Sequence, residues 1–164
     1  GRIAKIFAFA LKDRTTNVVS MIKFLIKVKN PYEILEENSA NKTMHSRFEQ
    51  INSKYQKYLS RAIETGKNSG KLLFFKYSGD LSISSDLANE LYYLFPKKII
   101  VVAYVAQSKI NISVRGKNVR TILLQSIENL EGATGGGHPD ASGATIATKD
   151  LEEFKENFEK LVGS

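Results

Sequence analysis

The most informative segment of the sequence is Gly135-Gly136-Gly137-His138-Pro139-Asp140-Ala141-Ser142-Gly143-Ala144. Consecutive glycines can adopt backbone angles closed to other residues, and their N–H groups can point together into a nest for an anion. His138 can donate a further hydrogen bond from a ring nitrogen, and Pro139 fixes the exit of a turn. The segment Gly132 to Gly143 therefore predicts an anion-binding loop, with a tight turn that merely needs glycine as the alternative.

Strands and helices alternate on both sides of this glycine-rich segment. Short runs of bulky apolar residues bounded by glycine or proline predict strands, and polar residues ahead of an apolar periodicity predict helix starts. The predicted strands are Lys71–Tyr77, Ile99–Ala106, Asn111–Arg115 and Ala144–Thr148, and the predicted helices begin near Ser84, Asn118 and Asp150. The fold class is thus α/β (α+β), a compact mixed β-sheet with helices packed on it, over residues 71–164.

The chain ahead of this α/β unit has a helical periodicity. Apolar residues repeat at three- and four-residue steps and predict one long amphipathic helix from Lys42 to Glu64. Residues 1–66 are therefore predicted to be a helical connector region. Within it, the aromatic stripe from Phe48 to Leu59 is predicted to be exposed, which would suit homodimerisation or docking to a protein partner.

Composition narrows the chemistry that the chain can perform. It has 164 residues, a net charge of +7 and no cysteine, which excludes thiol catalysis and disulfides and points to the cytoplasm. The basic surplus favours anionic partners. The two histidines lie in no metal-ligand spacing, and His45 is predicted to be a solvated or capping residue. The longest apolar run, Ile99 to Ala106, is too short to cross a bilayer, so no membrane partner is expected.

A second cluster of interest runs from Ser113 to Arg120. In a strand, Ser113 and Arg115 share one face. The helix predicted after them would place Lys117 and Arg120 near its N-terminus, where free N–H groups and the helix dipole favour anions. Arginine suits phosphate because its fork makes two parallel hydrogen bonds. The alternative for Lys117 and Arg120 is a solvated basic rim.

At this point the sequence resembles a known family. The run from Gly135 to Ala144 looks like the G-G-G-H-x-x-A-x-G signature of DHHA1 domains, and Ile112-Ser113-Val114-Arg115 looks like the S-x-R strand that precedes it. DHHA1 domains are the C-terminal substrate-binding domains of DHH phosphoesterases, which include RecJ-like exonucleases and small-nucleotide phosphodiesterases. Within this family, the sequence resembles the RecJ-like proteins of archaea.

The resemblance implies that hydrolysis and substrate binding belong to two different domains. A separate N-terminal DHH domain would hold Mn²⁺ or Mg²⁺ and hydrolyse phosphodiesters, and this chain, which has no D-H-H triplet, would bind the substrate and hold no metal itself. The substrate would be single-stranded nucleic acid or a small nucleotide, and a replication or repair protein could be a further partner. The residues implied in substrate or phosphate binding are Gly135, Gly136, Gly137, His138, Arg115 and Ser113, with backbone contacts from Lys117 and Arg120.

A related resemblance leaves an alternative. A DHHA1-type domain also forms the C-terminal part of alanyl-tRNA synthetases, where it contacts tRNA and promotes dimerisation. Its glycine motif usually lacks the histidine that stands here at position 138. Whether the isolated chain has any hydrolytic activity is left open by the sequence.

Overall fold

The computed structural model of the chain describes residues 1–12 and 15–163. They form two compact units, Gly1–Gln56 and Lys57–Ser164. The helices are α1 (Arg2–Ala10), α2 (Thr15–Leu25), α3 (Lys42–Asn68), α4 (Ser84–Leu94), α5 (Val119–Ile127) and α6 (Leu151–Gly163). The strands are β1 (Leu72–Ser78), β2 (Ile99–Val105), β3 (Lys109–Arg115), β4 (Thr134–His138) and β5 (Ala141–Ala147). Among the described residues, no helix combines the length and apolar character needed to cross a membrane.

The first unit is helical, and its core contains the aromatic stripe. The Phe9 ring lies 5.9 Å from the Phe48 ring and 5.2 Å from the Tyr55 ring, measured between centroids. The predicted exposure of this stripe is therefore wrong, because its apolar side chains are needed to fill the interior. His45 is also buried, and its Nε2 lies 2.8 Å from the carbonyl oxygen of Ile34. It is a structural residue rather than a solvated one.

The second unit is built on one mixed five-stranded sheet with the order β1-β2-β3-β5-β4. The strands β1 and β2 are parallel and are joined through α4, and the remaining neighbours are antiparallel. A parallel pair requires a crossover connection of this kind, whereas the antiparallel pairs need only short turns. The predicted mixed sheet with packed helices is confirmed.

The two faces of the sheet are covered differently. Along a strand, side chains alternate between faces. One face carries α5 and α6, and it forms a continuous apolar core that includes Ile112, Leu123, Ile146, Phe154 and Phe158. The opposite face carries α4, which packs on β2 and β3. The part of that second face formed by β3, β5 and β4 is polar and mostly half-buried, and we call it the glycine surface.

The glycine-rich segment is not a loop. Residues 134–138 form β4, which pairs with β5 along its whole length and is an edge strand of the sheet. The backbone is extended, so successive N–H groups point in opposite directions and cannot converge on one anion. The predicted loop conformation is therefore wrong, whereas anion binding by this segment stays a prediction. The strand β5 begins at Ala141, three residues before its predicted start. The motif forms a hairpin with Pro139 and Asp140 at its turn.

The hydroxyl of Tyr77 is expected to stabilise the fold through one buried hydrogen bond. The backbone N–H of Ile83 donates to Tyr77 Oη at 2.8 Å, and both residues are buried. Tyr77→Phe leaves that N–H without a partner, so we expect a loss of about 1–3 kcal/mol in unfolding free energy by urea denaturation. Tyr104→Phe is the matched control, because its hydroxyl donates to the exposed carbonyl of Gly79. An equal loss in both variants would contradict this account.

Tyr77 also makes the free energy of unfolding decrease at high pH. Burial raises the pKa of Tyr77 above its usual value. Above about pH 10 the unfolded chain loses a proton that the folded chain keeps, so this group lowers stability by about 1.4 kcal/mol per pH unit. Tyr77→Phe removes this dependence. We therefore expect the stability difference between wild type and Tyr77→Phe to shrink from about pH 10 to about pH 11, and a constant difference would contradict the assignment.

Candidate functional site

The strand register arranges the glycine surface in three rows that cross β3, β5 and β4, since directly paired residues share a face. Arg115, Ala141 and His138 form the first row. The second is Ser113, Gly143 and Gly136, and the third is Asn111, Thr145 and Thr134. A shallow depression of about 440 Å³ follows the second and third rows. A row with Arg115 at one end and His138 at the other thus borders a second row in which two of the three residues are glycines.

Arg115 is held in place at the end of β3. Its Nε donates to Asn89 Oδ1 at 2.7 Å, and its Nη1 donates to the carbonyl oxygens of Val114 at 2.8 Å and Ser142 at 3.4 Å. No described residue accepts a hydrogen bond from Nη2. Partial burial lowers the pKa of the guanidinium, but arginine stays protonated in proteins. The result is a fixed positive charge with one donor group left for a ligand.

His138 is exposed at the end of β4, in the same row as Arg115. The two residues are separated by Ala141, whose small side chain leaves the space between them open. Adjacent strands lie about 4.8 Å apart, so the two Cα atoms are about 10 Å apart. Side chains of this length can contact one anion from opposite sides. The structure therefore brings together two of the side chains that the sequence predicted as phosphate ligands.

The glycines of the motif serve different purposes. A Cβ at Gly135 would lie 2.7 Å from Ile127 Cδ1, which shows that α5 packs closely there. Gly137 has φ +130°, and a Cβ would lie 2.7 Å from the carbonyl oxygen of Ala141. A Cβ at Gly136 would meet no atom within 4 Å. The fold requires glycine at Gly137, and a methyl group at Gly135 would displace the flexible end of the Ile127 side chain. At Gly136 the missing side chain only keeps the floor of the glycine surface free.

The turn of the hairpin occupies the N-terminus of α5. Asp140 Oδ1 accepts from the N–H of Asn118 at 2.8 Å, and the carbonyl oxygen of Pro139 accepts from the N–H of Arg120 at 3.1 Å. These bonds take up N–H groups that were predicted to bind an anion. The side chains of Lys117 and Arg120 remain exposed beside the turn, and their contacts with a nucleic-acid backbone stay a prediction.

Ser113 does not reach the exposed surface. It is buried, and its Oγ lies 3.0 Å from Ser84 Oγ of α4. We therefore assign it to packing between α4 and β3, and its predicted contact with substrate finds no support in this geometry. Sequence reasoning missed Thr134, Thr145 and Asn89 as members of the site. Pairing of β5 with β3 would have revealed Thr145, because its Oγ1 donates to Asn111 Oδ1 at 3.1 Å.

The described residues do not provide a metal centre. Among residues 1–12 and 15–163, no three His, Cys, Asp or Glu side chains lie close enough together to hold an ion. The Mn²⁺ or Mg²⁺ implied for DHH phosphoesterases therefore has no fitting set of ligands here, and we derive no step through it in this chain.

Comparison with known proteins places the chain in a family. The model of the DHHA1 domain matches residues 68–164, more than half of the sequence. The chain therefore belongs to the DHHA1 domain family. No curated protein sequence matches it significantly.

Solved structures agree with this assignment at the level of the fold. RecJ from Thermus thermophilus in complex with Mg²⁺ is 17% identical with a TM-score of 0.65, and the match covers 99% of this chain and 25% of RecJ. The pGpG-specific phosphodiesterase PggH from Vibrio cholerae is 15% identical with a TM-score of 0.50, covering 93% and 52%. The chain thus spans about a quarter of RecJ and about half of PggH.

A third similar structure bears on the alternative function. The C-Ala domain of alanyl-tRNA synthetase from Aquifex aeolicus is 18% identical, and the match covers 54% of this chain and 87% of that domain. Its TM-score of 0.45 is too low to argue for the synthetase alternative.

Two glycines of the motif should respond differently to one extra methyl group. Gly137→Ala forces a side chain into a positive φ and against the backbone of β5, so we expect a loss of about 1–3 kcal/mol in unfolding free energy. Gly136→Ala enters open space, so its stability should stay within about 0.5 kcal/mol of wild type. Thermal and urea unfolding measure both. Equal destabilisation would show that Gly136 is also needed for packing.

Proposed function

We propose that the glycine surface binds a phosphate of single-stranded nucleic acid or of a small nucleotide and positions it for a separate DHH domain. The single observation that carries the proposal is the fixed Arg115 guanidinium, with a donor left over, beside a floor kept bare at Gly136. Phosphate suits this arrangement because charge-assisted hydrogen bonds from a held guanidinium are strong and lose little entropy on binding. Similarity to RecJ and to a dinucleotide phosphodiesterase supports the same class of ligand.

The residues of this chain would bind and orient the substrate. Arg115 would neutralise phosphate charge, and His138 would donate a hydrogen bond from the other side of the row. Gly136 would let the sugar-phosphate backbone or a base lie directly on the sheet, and Lys117 and Arg120 would contact neighbouring phosphates. Hydrolysis would belong to the DHH domain, where Mn²⁺ or Mg²⁺ would activate a water molecule. A substrate held in one orientation lowers the entropic cost of that reaction.

Fluorescence anisotropy with labelled short single-stranded DNA and RNA tests the proposal. Arg115→Ala should weaken binding about 10- to 100-fold, because a hydrogen bond to a charged group contributes about 1.5–3 kcal/mol. It should also make the dependence of log K on log[salt] shallower by about 0.7, the value for one phosphate contact on a single strand. Arg115→Lys keeps the charge but loses the fork, so it should recover only part of the affinity.

Two further variants and a control complete this experiment. His138→Ala should weaken binding about fivefold, and Gly136→Val should weaken it by filling the floor while the protein stays folded. Lys160→Ala is the charge-matched control, since Lys160 is exposed on α6, which packs on the opposite face of the sheet. Unchanged affinity in the Arg115 and Gly136 variants would refute the proposal. Strong preference for folded tRNA would favour the synthetase alternative.

A further inference from the structure

A second pocket lies at the other end of the sheet from Arg115. The parallel strands β1 and β2 end side by side at Ser78 and Val105, and β5 ends at Ala147 on the same side. A pocket of about 570 Å³ opens there. In open α/β sheets, the carboxyl ends of parallel strands are a common place for ligands to bind. The volume is within the range of pockets that hold small ligands.

Positive charge dominates the lining of this pocket, which we call the β1-end pocket. Four basic residues line it, with Glu152 as the one acidic residue of the lining; the basic residues are Lys57, Arg61, Lys76 and Lys149. All four are exposed, and the three lysines form no ion pair with a described residue. The lining therefore carries a net formal charge of about +3, four basic residues against one acidic residue, and such a concave basic lining concentrates anions.

Contacts of Tyr58 hold one wall of the pocket in place. Tyr58 lies between Lys57 and Arg61 on α3, and its hydroxyl donates to the carbonyl oxygen of Ser78 at 2.8 Å. Its ring lies 4.7 Å from the ring of Tyr77, measured between centroids. The residue after Ser78, Gly79, has φ +143°, and a Cβ there would lie 2.8 Å from the Tyr58 hydroxyl. This part of α3 is thus fixed against the end of β1, so the pocket exists before any ligand binds.

We propose that the β1-end pocket is a second phosphate site, which binds the backbone of a single-stranded nucleic acid that also contacts the glycine surface. This proposal rests on the proposed function and defines its substrate class. Arg115 and Lys109 are at opposite ends of β3, so along the strands alone the two sites are about 20 Å apart. A dinucleotide cannot bridge that distance, whereas a strand of several nucleotides can, as single-strand binding proteins do over about 4–16 nucleotides.

A length series of labelled oligothymidylates tests the second site. The probes are dT2, dT4, dT8 and dT16, and the variant is Lys76→Ala with Lys149→Ala. We expect wild-type affinity for dT2 and dT4, and about 10-fold weaker binding of dT16 at low salt. The salt dependence for dT16 should become shallower by about 1.4, the value for two phosphate contacts on a single strand. Lys67→Ala with Lys160→Ala is the charge-matched control, because both residues are exposed and outside both sites.

The outcomes separate this proposal from the one on which it rests. Loss of binding at every length in Arg115→Ala, together with selective loss of dT16 in the pocket variant, supports both. If Arg115→Ala binds every probe normally while the pocket variant binds dT16 weakly, the proposed function of the glycine surface is refuted. Phosphate binding at the β1-end pocket is then still supported. If the pocket variant and its control have equal affinities for the probes at every length, the proposal of a second phosphate site is refuted. It is also refuted by a pocket variant that loses affinity for oligo-glutamate alone, because the pocket would then bind an acidic protein.

Discussion

The hydrogen bonds around Asp140 are the constraint on which the candidate site depends. Its side chain accepts from the N–H of Asn118, and its carbonyl oxygen accepts from the N–H of Gly116 at 3.1 Å. These bonds join the turn between β4 and β5 to the connection between β3 and α5. They fix the ends of β3, β5 and β4 at the same position along the strand direction. This alignment brings Arg115 and His138 into one row. A carboxylate at a helix N-terminus is also favoured by the helix dipole.

Much of the fold could be predicted from the sequence because most of its strands and helices are indicated by residues within their own segments. The runs that became β1, β2 and β3 are apolar enough to be buried on at least one face, and the helix starts carry ordinary polar signals. The glycine-rich segment could not be predicted correctly in the same way. Glycine has low intrinsic preference for strands, so β4 forms only because β5 supplies hydrogen bonds and α5 packs closely on Gly135. Both are tertiary effects.

The candidate site was predictable in its residue types and less so in its geometry. The glycine motif pointed to His138 and the strand before it to Arg115, and the structure places both in one row. Ser113 shares a strand face with Arg115, but strand alternation says only which face a residue occupies and not whether a helix covers it. The helix α4 covers Ser113 and stops short of enclosing Arg115. The β1-end pocket combines residues far apart in sequence, which single-sequence patterns cannot bring together.

The strand β4 has a consequence for the behaviour of the protein at high concentration. It lies at an edge of the sheet, and its three central residues have no side chains to shield the backbone. Proteins usually guard such edges with lysine, proline or bulges, because an unguarded edge can recruit a strand from another molecule. The three consecutive glycines of β4 leave this edge without such a guard. A molecule that covers the open edge of β4 would therefore limit self-assembly of the protein.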